Sequence, residues 1–308
     1  MHSPWGGLTV ADAHVHFFSH RFFSLLAAQR NSCLADVDEI LQWSMPPEQP
    51  EDLAQHWVAE LDLHQVSRAA LIASLPGDEG SVSAAVTAYP DRFYGYFFVN
   101  PLAADAPTVV ARALEGGLQG ACFFPAMHRY SMHDERVEAV LKVLAARPAT
   151  LAFVHCGALS VGVRKKLGLQ SQFDLRYSNP VDVHAAALRH PNLPFVIPHF
   201  GAGYFREALM VADLCPNIFL DTSSSNRWMR YQDGDLDLRR VFEKALSILG
   251  ARRLLFGTDS SFFPRGWHAA IFEQQVDALR QLDVPPADAQ AIFGGNLTRL
   301  LARPASHQ

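Results

Sequence analysis

The chain has 308 residues, with 26 lysines and arginines against 31 aspartates and glutamates, a formal net charge of −5, 49% hydrophobic and 19% charged residues. That apolar content supports a large core and excludes a disordered chain, and the acidic balance argues against a nucleic acid or an anionic membrane as the main partner. There is no run of 18 apolar residues to span a membrane, and the first residues, MHSPWGGLTVADAHVHFF, lack a basic segment followed by an apolar one, so a cytoplasmic protein is expected.

Short apolar runs recur along the chain, each ending in a polar or small residue. In order they are LTVADAH (8–14), RAALIAS (68–74), FYGYFFVN (93–100), GACFFP (120–125), TLAFVH (150–155), LPFVIPH (193–199), NIFLDTS (217–223) and RLLFGTD (253–259). They are rich in Val, Ile, Leu and Phe without strict alternation, which is how strands buried on both faces read. Between them lie helical patterns at 82–88, 107–114, 134–146, 238–249 and 267–282. In the 134–146 segment Val137, Val140, Leu141 and Leu144 share one helical face, and Asp134 and Glu135 stand at its start, where the helix dipole favours acids.

Eight strand–helix units predict one (β/α)8 TIM barrel over residues 1–308. The competing doubly wound sheet would want a glycine-rich turn after its first strand, and HVHFFSHRFF has no glycine. Residues 17–52, before a helix at 51–64, form a helical insertion after strand 1. It either covers the barrel mouth or sits on the surface with its own small apolar cluster. The segment FGGNLTRLLARP reads as a closing helix capped by Asn296. The four cysteines, Cys33, Cys122, Cys156 and Cys215, show no paired spacing and read as reduced thiols.

The chain has 14 histidines. His14 and His16 stand two apart near the end of strand 1, a spacing that turns both imidazoles to one side. Such a pair is weak by itself. His155, His199 and Asp259 end strands 5, 6 and 8, and in a parallel barrel these ends converge on the face where active sites lie. Together they predict a metal site. Cys122 and Cys156 are read as buried thiols, His20, His128 and His133 as loop residues near the active rim, and His56, His64, His184 and His190 as solvated.

The segments DAHVHFF, FVHCG, IPHFGAG, LLFGTDS and GGNLTRLL resemble the motifs of the amidohydrolase-related (amidohydrolase-2) branch of the amidohydrolase superfamily. That branch holds metal-dependent hydrolases and non-oxidative decarboxylases, aminocarboxymuconate-semialdehyde decarboxylase among them. The resemblance implies that His14, His16, His155 and Asp259 hold one divalent metal, Zn²⁺ or else Mn²⁺, with His199 and Asp259 acting in proton transfer. Strand 4 lacks the lysine or glutamate that bridges two metals in binuclear relatives, so one metal is expected.

Around this centre the sequence offers Phe124, Arg176, Tyr204, Asn226, Arg227 and Ser260 as candidate substrate contacts. Gly201, Ala202 and Gly203 could bring free N–H groups to an anion, and Ser223, Ser224 and Ser225 add hydroxyls. Arginines beside aromatic walls suggest a small cyclic or aromatic acid. The chemistry expected is hydrolysis of such an acid, lactone or amide by metal-activated water. Decarboxylation of a small aromatic or muconate-like acid is the alternative, and a binding barrel without chemistry the third. The expected partner is a small molecule, with a homodimer as the candidate assembly.

Overall fold

The computed structural model describes residues 3–170, 173–224 and 226–302; Ser225 and the end of the closing segment beyond Ala302 fall outside them. Eight parallel strands pair in chain order: β1 (Val10–His16), β2 (Val66–Ala73), β3 (Phe93–Val99), β4 (Gly120–Phe123), β5 (Leu151–Val154), β6 (Phe195–Ile197), β7 (Ile218–Asp221) and β8 (Leu254–Leu255). Past β8 the chain closes onto β1: Ala13 N donates to Phe256 O at 2.8 Å, Asp259 N to His14 O at 3.0 Å and His16 N to Ser260 O at 2.7 Å. The result is the TIM barrel that the alternating pattern predicts.

The helices follow in order as α1 (His20–Arg30), α2 (Leu34–Leu41), α3 (Pro50–Leu63), α4 (Glu79–Ala88), α5 (Ala106–Glu115), α6 (Pro125–His128), α7 (Glu135–Ala145), α8 (Gly162–Lys166), α9 (Val181–Arg189), α10 (Phe205–Leu214), α11 (Leu238–Leu249), α12 (Ala269–Arg280), α13 (Pro286–Gln290) and α14 (Asn296–Leu301). Asp134 caps α7, accepting from Arg136 N at 2.9 Å.

Strand parity separates two buried clusters. Tyr94, Tyr96, Phe98, Cys122, Phe153, Val196 and Leu255 fill the barrel interior. Phe93, Phe97, Phe123, Val154, Phe195 and Leu220 face the helices. Each fully buried Phe contributes about 1.5–3 kcal/mol of transfer free energy, and double-sided burial explains why the runs do not alternate.

The insertion does both things expected of it. Phe22, Phe23, Leu26, Ala27, Val37 and Leu41 form a separate cluster with Val163 and Leu167, while Phe18, Phe22, Leu26 and Trp43 line the cavity at the strand ends. Ser19 caps α1, accepting from Phe22 N at 2.9 Å, and its hydroxyl donates to the Asp78 carboxylate beyond β2.

One expected cap is corrected. Asn296 has helical backbone angles behind a π-helical turn, and its buried amide donates to the carbonyls of Ala251 and Leu254, both at 2.8 Å. It therefore ties α14 to the start of β8. No helix among the described residues is long and apolar enough to cross a membrane.

Candidate metal centre

His14 lies inside β1 where the β1–β2 register slips, and His16 ends the strand. His155 follows β5 directly, whereas His199 and Asp259 lie beyond β6 and β8 in tight turns. Both adopt left-handed backbone conformations, His199 at φ 56° and Asp259 at φ 60°. Such conformations are costly for non-glycine residues and persist where the surroundings over-determine them. Here the turns aim both side chains back over the barrel axis.

The five side chains meet in two groups that share His14: His14 with His155 and His199, and His14 with His16 and Asp259. Within each group the ligand atoms lie within 4.8 Å of one another. Asp259 Oδ1 is 3.2 Å from His16 Nε2 and 3.7 Å from His14 Nε2. Ligand atoms about 2.1 Å from one ion in tetrahedral array stand about 3.4 Å apart, so these spacings suit a shared cation. His14 Nε2 is also buried without a hydrogen-bond partner among the described residues, which is costly unless a cation takes its lone pair.

The opposite edges of three imidazoles are tied down. His14 Nδ1 meets Asp221 Oδ2 at 3.0 Å, His16 Nδ1 meets Ser74 Oγ at 2.7 Å, and His199 Nδ1 meets the Ser224 carbonyl at 2.6 Å. Ser223 Oγ reaches Nδ1 of both His14, at 3.1 Å, and His199, at 2.9 Å. Each bond fixes a ring and turns its Nε2 toward the cluster.

Burial lowers the pKa values of His16, His155 and His199, keeping these rings neutral. Burial opposes charge on Asp259 as well, but the His16 hydrogen bond and the positive field of His14 outweigh it and hold the carboxyl below its usual range. On His14 burial is likewise overcome, by Asp221, and its pKa rises. Three imidazoles held neutral beside an ionised carboxylate are in the states a divalent cation needs, and at His14 the cation would take the place of the second ring proton.

The cluster opens into a cavity of about 600 Å³. Phe18, Phe22, Trp43, Phe98, Phe124 and Phe262 give it aromatic walls, and Arg164, Lys166, Arg227 and Arg265 bring cationic side chains to it. Arg164 is engaged with Gln29 and Gln170, Lys166 lies over the Trp43 ring, and Arg265 bonds Ser261 and covers Phe262. Arg227 makes no hydrogen bond or ion pair among the described residues.

Of the candidate substrate contacts, Phe124 and Arg227 line this cavity and the others do not. Arg176 is 82% exposed and paired with Asp174 at 2.6 Å. Tyr204 lines a separate groove with Phe205, Tyr231 and Arg240. The buried Ser260 hydroxyl binds Thr258 and receives the His268 N–H. Asn226 keeps a buried Oδ1 with no hydrogen-bond partner among the described residues. The free N–H groups expected at Gly201 and Ala202 are taken by the carbonyls of Pro198 and His199. His64 and His190, expected to be solvated, pair with Glu60 and Glu138.

Cys122 and Cys156 are buried free thiols outside both ligand groups, with pKa values raised by burial. Among the residues near the rim, His133 is 54% exposed and His20 begins α1. His128 packs against Phe98, and burial pushes its pKa down to about 4. Asp221 is the residue that strand patterning missed, although it ends β7 directly after the apolar residues of the seventh run, as His155 and His199 follow those of theirs. Asp12 is a second: buried below His14, it accepts from Thr258 Oγ1 and from Trp267 Nε1 at 2.8 Å, anchoring the β8 turn.

Comparison with known proteins places this geometry. Over 170 residues the chain is 31% identical to the fluG protein of Emericella nidulans, a match covering 54% of this chain and 18% of that protein. Among solved structures, a 5-carboxyvanillate decarboxylase from Novosphingobium aromaticivorans, with bound manganese and 3-methoxy-4-hydroxy-5-nitrobenzoic acid, superposes with a TM-score of 0.64 at 14% identity, covering 97% of this chain and 98% of the other. A probable 2-pyrone-4,6-dicarboxylic acid hydrolase from Acinetobacter baumannii superposes with a TM-score of 0.60 at 16% identity, covering 96% and 100%. The amidohydrolase family model matches residues 11–303. With its barrel and its strand-end histidines and aspartate, the chain belongs to the amidohydrolase family.

Proposed function

We propose that the chain is a metal-dependent hydrolase of a small cyclic or aromatic acid, presented as a lactone or amide. The observation that carries this is the junction of a three-imidazole group and an imidazole–carboxylate group, sharing His14, with an aromatic cavity that gathers four cationic side chains. His14, His16, His155 and Asp259 would hold one divalent ion, with His199 beside them. The donor set of neutral nitrogens and one carboxylate suits Zn²⁺, with Mn²⁺ as the alternative. Bound there, such an ion supplies Lewis-acid polarisation and lowers the pKa of water toward neutrality.

The protein's own groups carry the rest. Asp259, kept ionised by its histidine neighbours, accepts the proton of the attacking water. His199, fixed through Nδ1 by the Ser224 carbonyl, presents Nε2 as a proton acceptor, takes the water's proton on from Asp259 and returns it from the resulting imidazolium to the leaving group. The aromatic walls hold the ring, and Arg227 receives its carboxylate as a two-pronged donor.

Decarboxylation is the second proposal. The cationic cavity suits an aromatic carboxylate as it stands, and one fold relative is a decarboxylase with a nitrobenzoate bound. One experiment separates the two. The metal-loaded protein is incubated with lactones, amides and hydroxybenzoates in ¹⁸O-water, with CO₂ monitored. Hydrolysis places one ¹⁸O in the product acid. Release of CO₂ without ¹⁸O in the organic product rules hydrolysis out in favour of the carboxy-lyase.

A further inference from the structure

The clustered imidazoles are not held alike. His14, His16 and His199 each have Nδ1 fixed by a hydrogen bond. Among the described residues neither ring nitrogen of His155 has one, and its Nδ1 is buried. What His155 has is a ring against its face. The Phe124 centroid lies 3.9 Å from that of His155, with the planes 15° apart, and Phe98 backs Phe124 at 4.3 Å and 4°. The arrangement follows from the barrel register. Phe123 pairs with Val154, and His155 N donates to Phe123 O at 2.9 Å, so Phe124 and His155 emerge side by side.

We infer that Phe124 is a positioning residue for His155, its ring replacing the hydrogen bond that orients the other imidazoles. The inference rests on the metal-centre assignment above. The torsion that turns an imidazole about its Cβ–Cγ bond is broad, so a ligand histidine without a hydrogen bond needs another constraint on its plane. A parallel ring at contact distance supplies one, and it becomes more favourable when the imidazole is made electron-poor by a cation. Both faces of Phe124 are thereby occupied, leaving its edge to the cavity. Its role is to hold a ligand while its edge lines the cavity.

The test compares Phe124→Leu, which removes the flat face, with Phe124→Tyr, which keeps it. Zn²⁺ affinity is measured by chelator competition, the visible spectrum of the Co²⁺-loaded protein reports ligand geometry, and metal-free melting checks the fold. Loss of an outer partner of a metal ligand costs 10–100-fold in affinity, and a stack stands at the lower end. Phe124→Leu is expected to bind Zn²⁺ about tenfold more weakly with shifted Co²⁺ bands, and Phe124→Tyr to stay within about threefold of the parent. If Phe124→Leu does not melt cooperatively, Phe124→Met, equally without a flat face, replaces it. Parental affinity and spectrum in the Leu or Met variant would overturn the inference. So would equal losses in the Leu and Tyr variants with unchanged metal-free melting. A parent chain that binds neither ion would instead remove the metal centre itself, and the inference with it.

Discussion

His14 Nδ1 lies 3.0 Å from Asp221 Oδ2, and neither side chain has any contact with solvent. The contact joins β1 to β7 across the barrel and decides which nitrogen of His14 faces the cluster. An Nδ1–H given to the carboxylate leaves Nε2 with its lone pair toward Asp259. Gly257 makes room for it, because a Cβ there would stand 2.9 Å from Asp221 Oδ2 and 3.0 Å from His14 Cβ. Asp221→Asn keeps the shape and removes the charge. It should weaken metal binding 10–100-fold by chelator competition, and Gly257→Ala should act in the same direction by displacing the carboxylate. Parental affinity in Asp221→Asn would show that His14 needs no such partner.

Proton transfer is assigned to Asp259 and His199, and the two make separable predictions. Asp259→Asn should lower kcat by about 10²–10⁴-fold. Metal content must be determined alongside, because the same side chain is a proposed ligand. His199→Ala should lower kcat while leaving KM and metal content close to parental, as expected of an interaction made in the transition state. Full turnover by His199→Ala would withdraw its role.

The barrel was legible because each strand is buried on both faces and so advertises itself as an unbroken apolar run. The candidate ligands were legible because they end those runs. What periodicity could not give was the turn geometry beyond the strands. β8 is two residues long, and Asp259 reaches the cluster through a left-handed turn held by β1 and Asp12. Arg176 and Arg227 look equivalent in sequence, each an arginine in a loop after a strand. Only a neighbour two residues away, Asp174, decides that the first is spent on a local pair. Asp221 was hidden for the opposite reason: its partner, His14, lies 207 residues away.

Asp78 gives a pH prediction away from the metal centre. It is fully buried, and burial raises its pKa to about 6 against the hydrogen bonds from Ser81 and Ser19. A folded pKa above the unfolded value of about 3.8 means the native state binds the extra proton. Stability is therefore greatest below pH 4 as far as this group is concerned, and falls as pH rises from 4 to 6. The full difference is about 3 kcal/mol above that window. Asp78→Asn, which still accepts from both hydroxyls, should flatten this part of the curve and raise stability at pH 7 relative to the parent. Denaturant melts at pH 4, 5, 6 and 7 check it. An unchanged slope between pH 4 and 6 in Asp78→Asn would rule Asp78 out as its source.

Arg227 tests how the cavity recognises its ligand. Arg164, Lys166 and Arg265 reach the cavity already engaged with neighbours, whereas Arg227 brings a guanidinium with no partner among the described residues. A hydrogen-bonded charge of this kind contributes about 1.5–3 kcal/mol, equivalent to about 10–150-fold in affinity. Arg227→Met should raise KM for a carboxylate-bearing substrate by about that factor and change kcat less. The matched neutral ester or amide should be indifferent to the substitution. Arg164→Gln supplies the control, because its guanidinium is occupied by Gln29 and Gln170, and its KM should stay within about threefold of the parent, inside the ordinary range of a surface substitution. If the two variants raise KM equally, the cavity attracts anions through its summed charge, and Arg227 holds no special place in it.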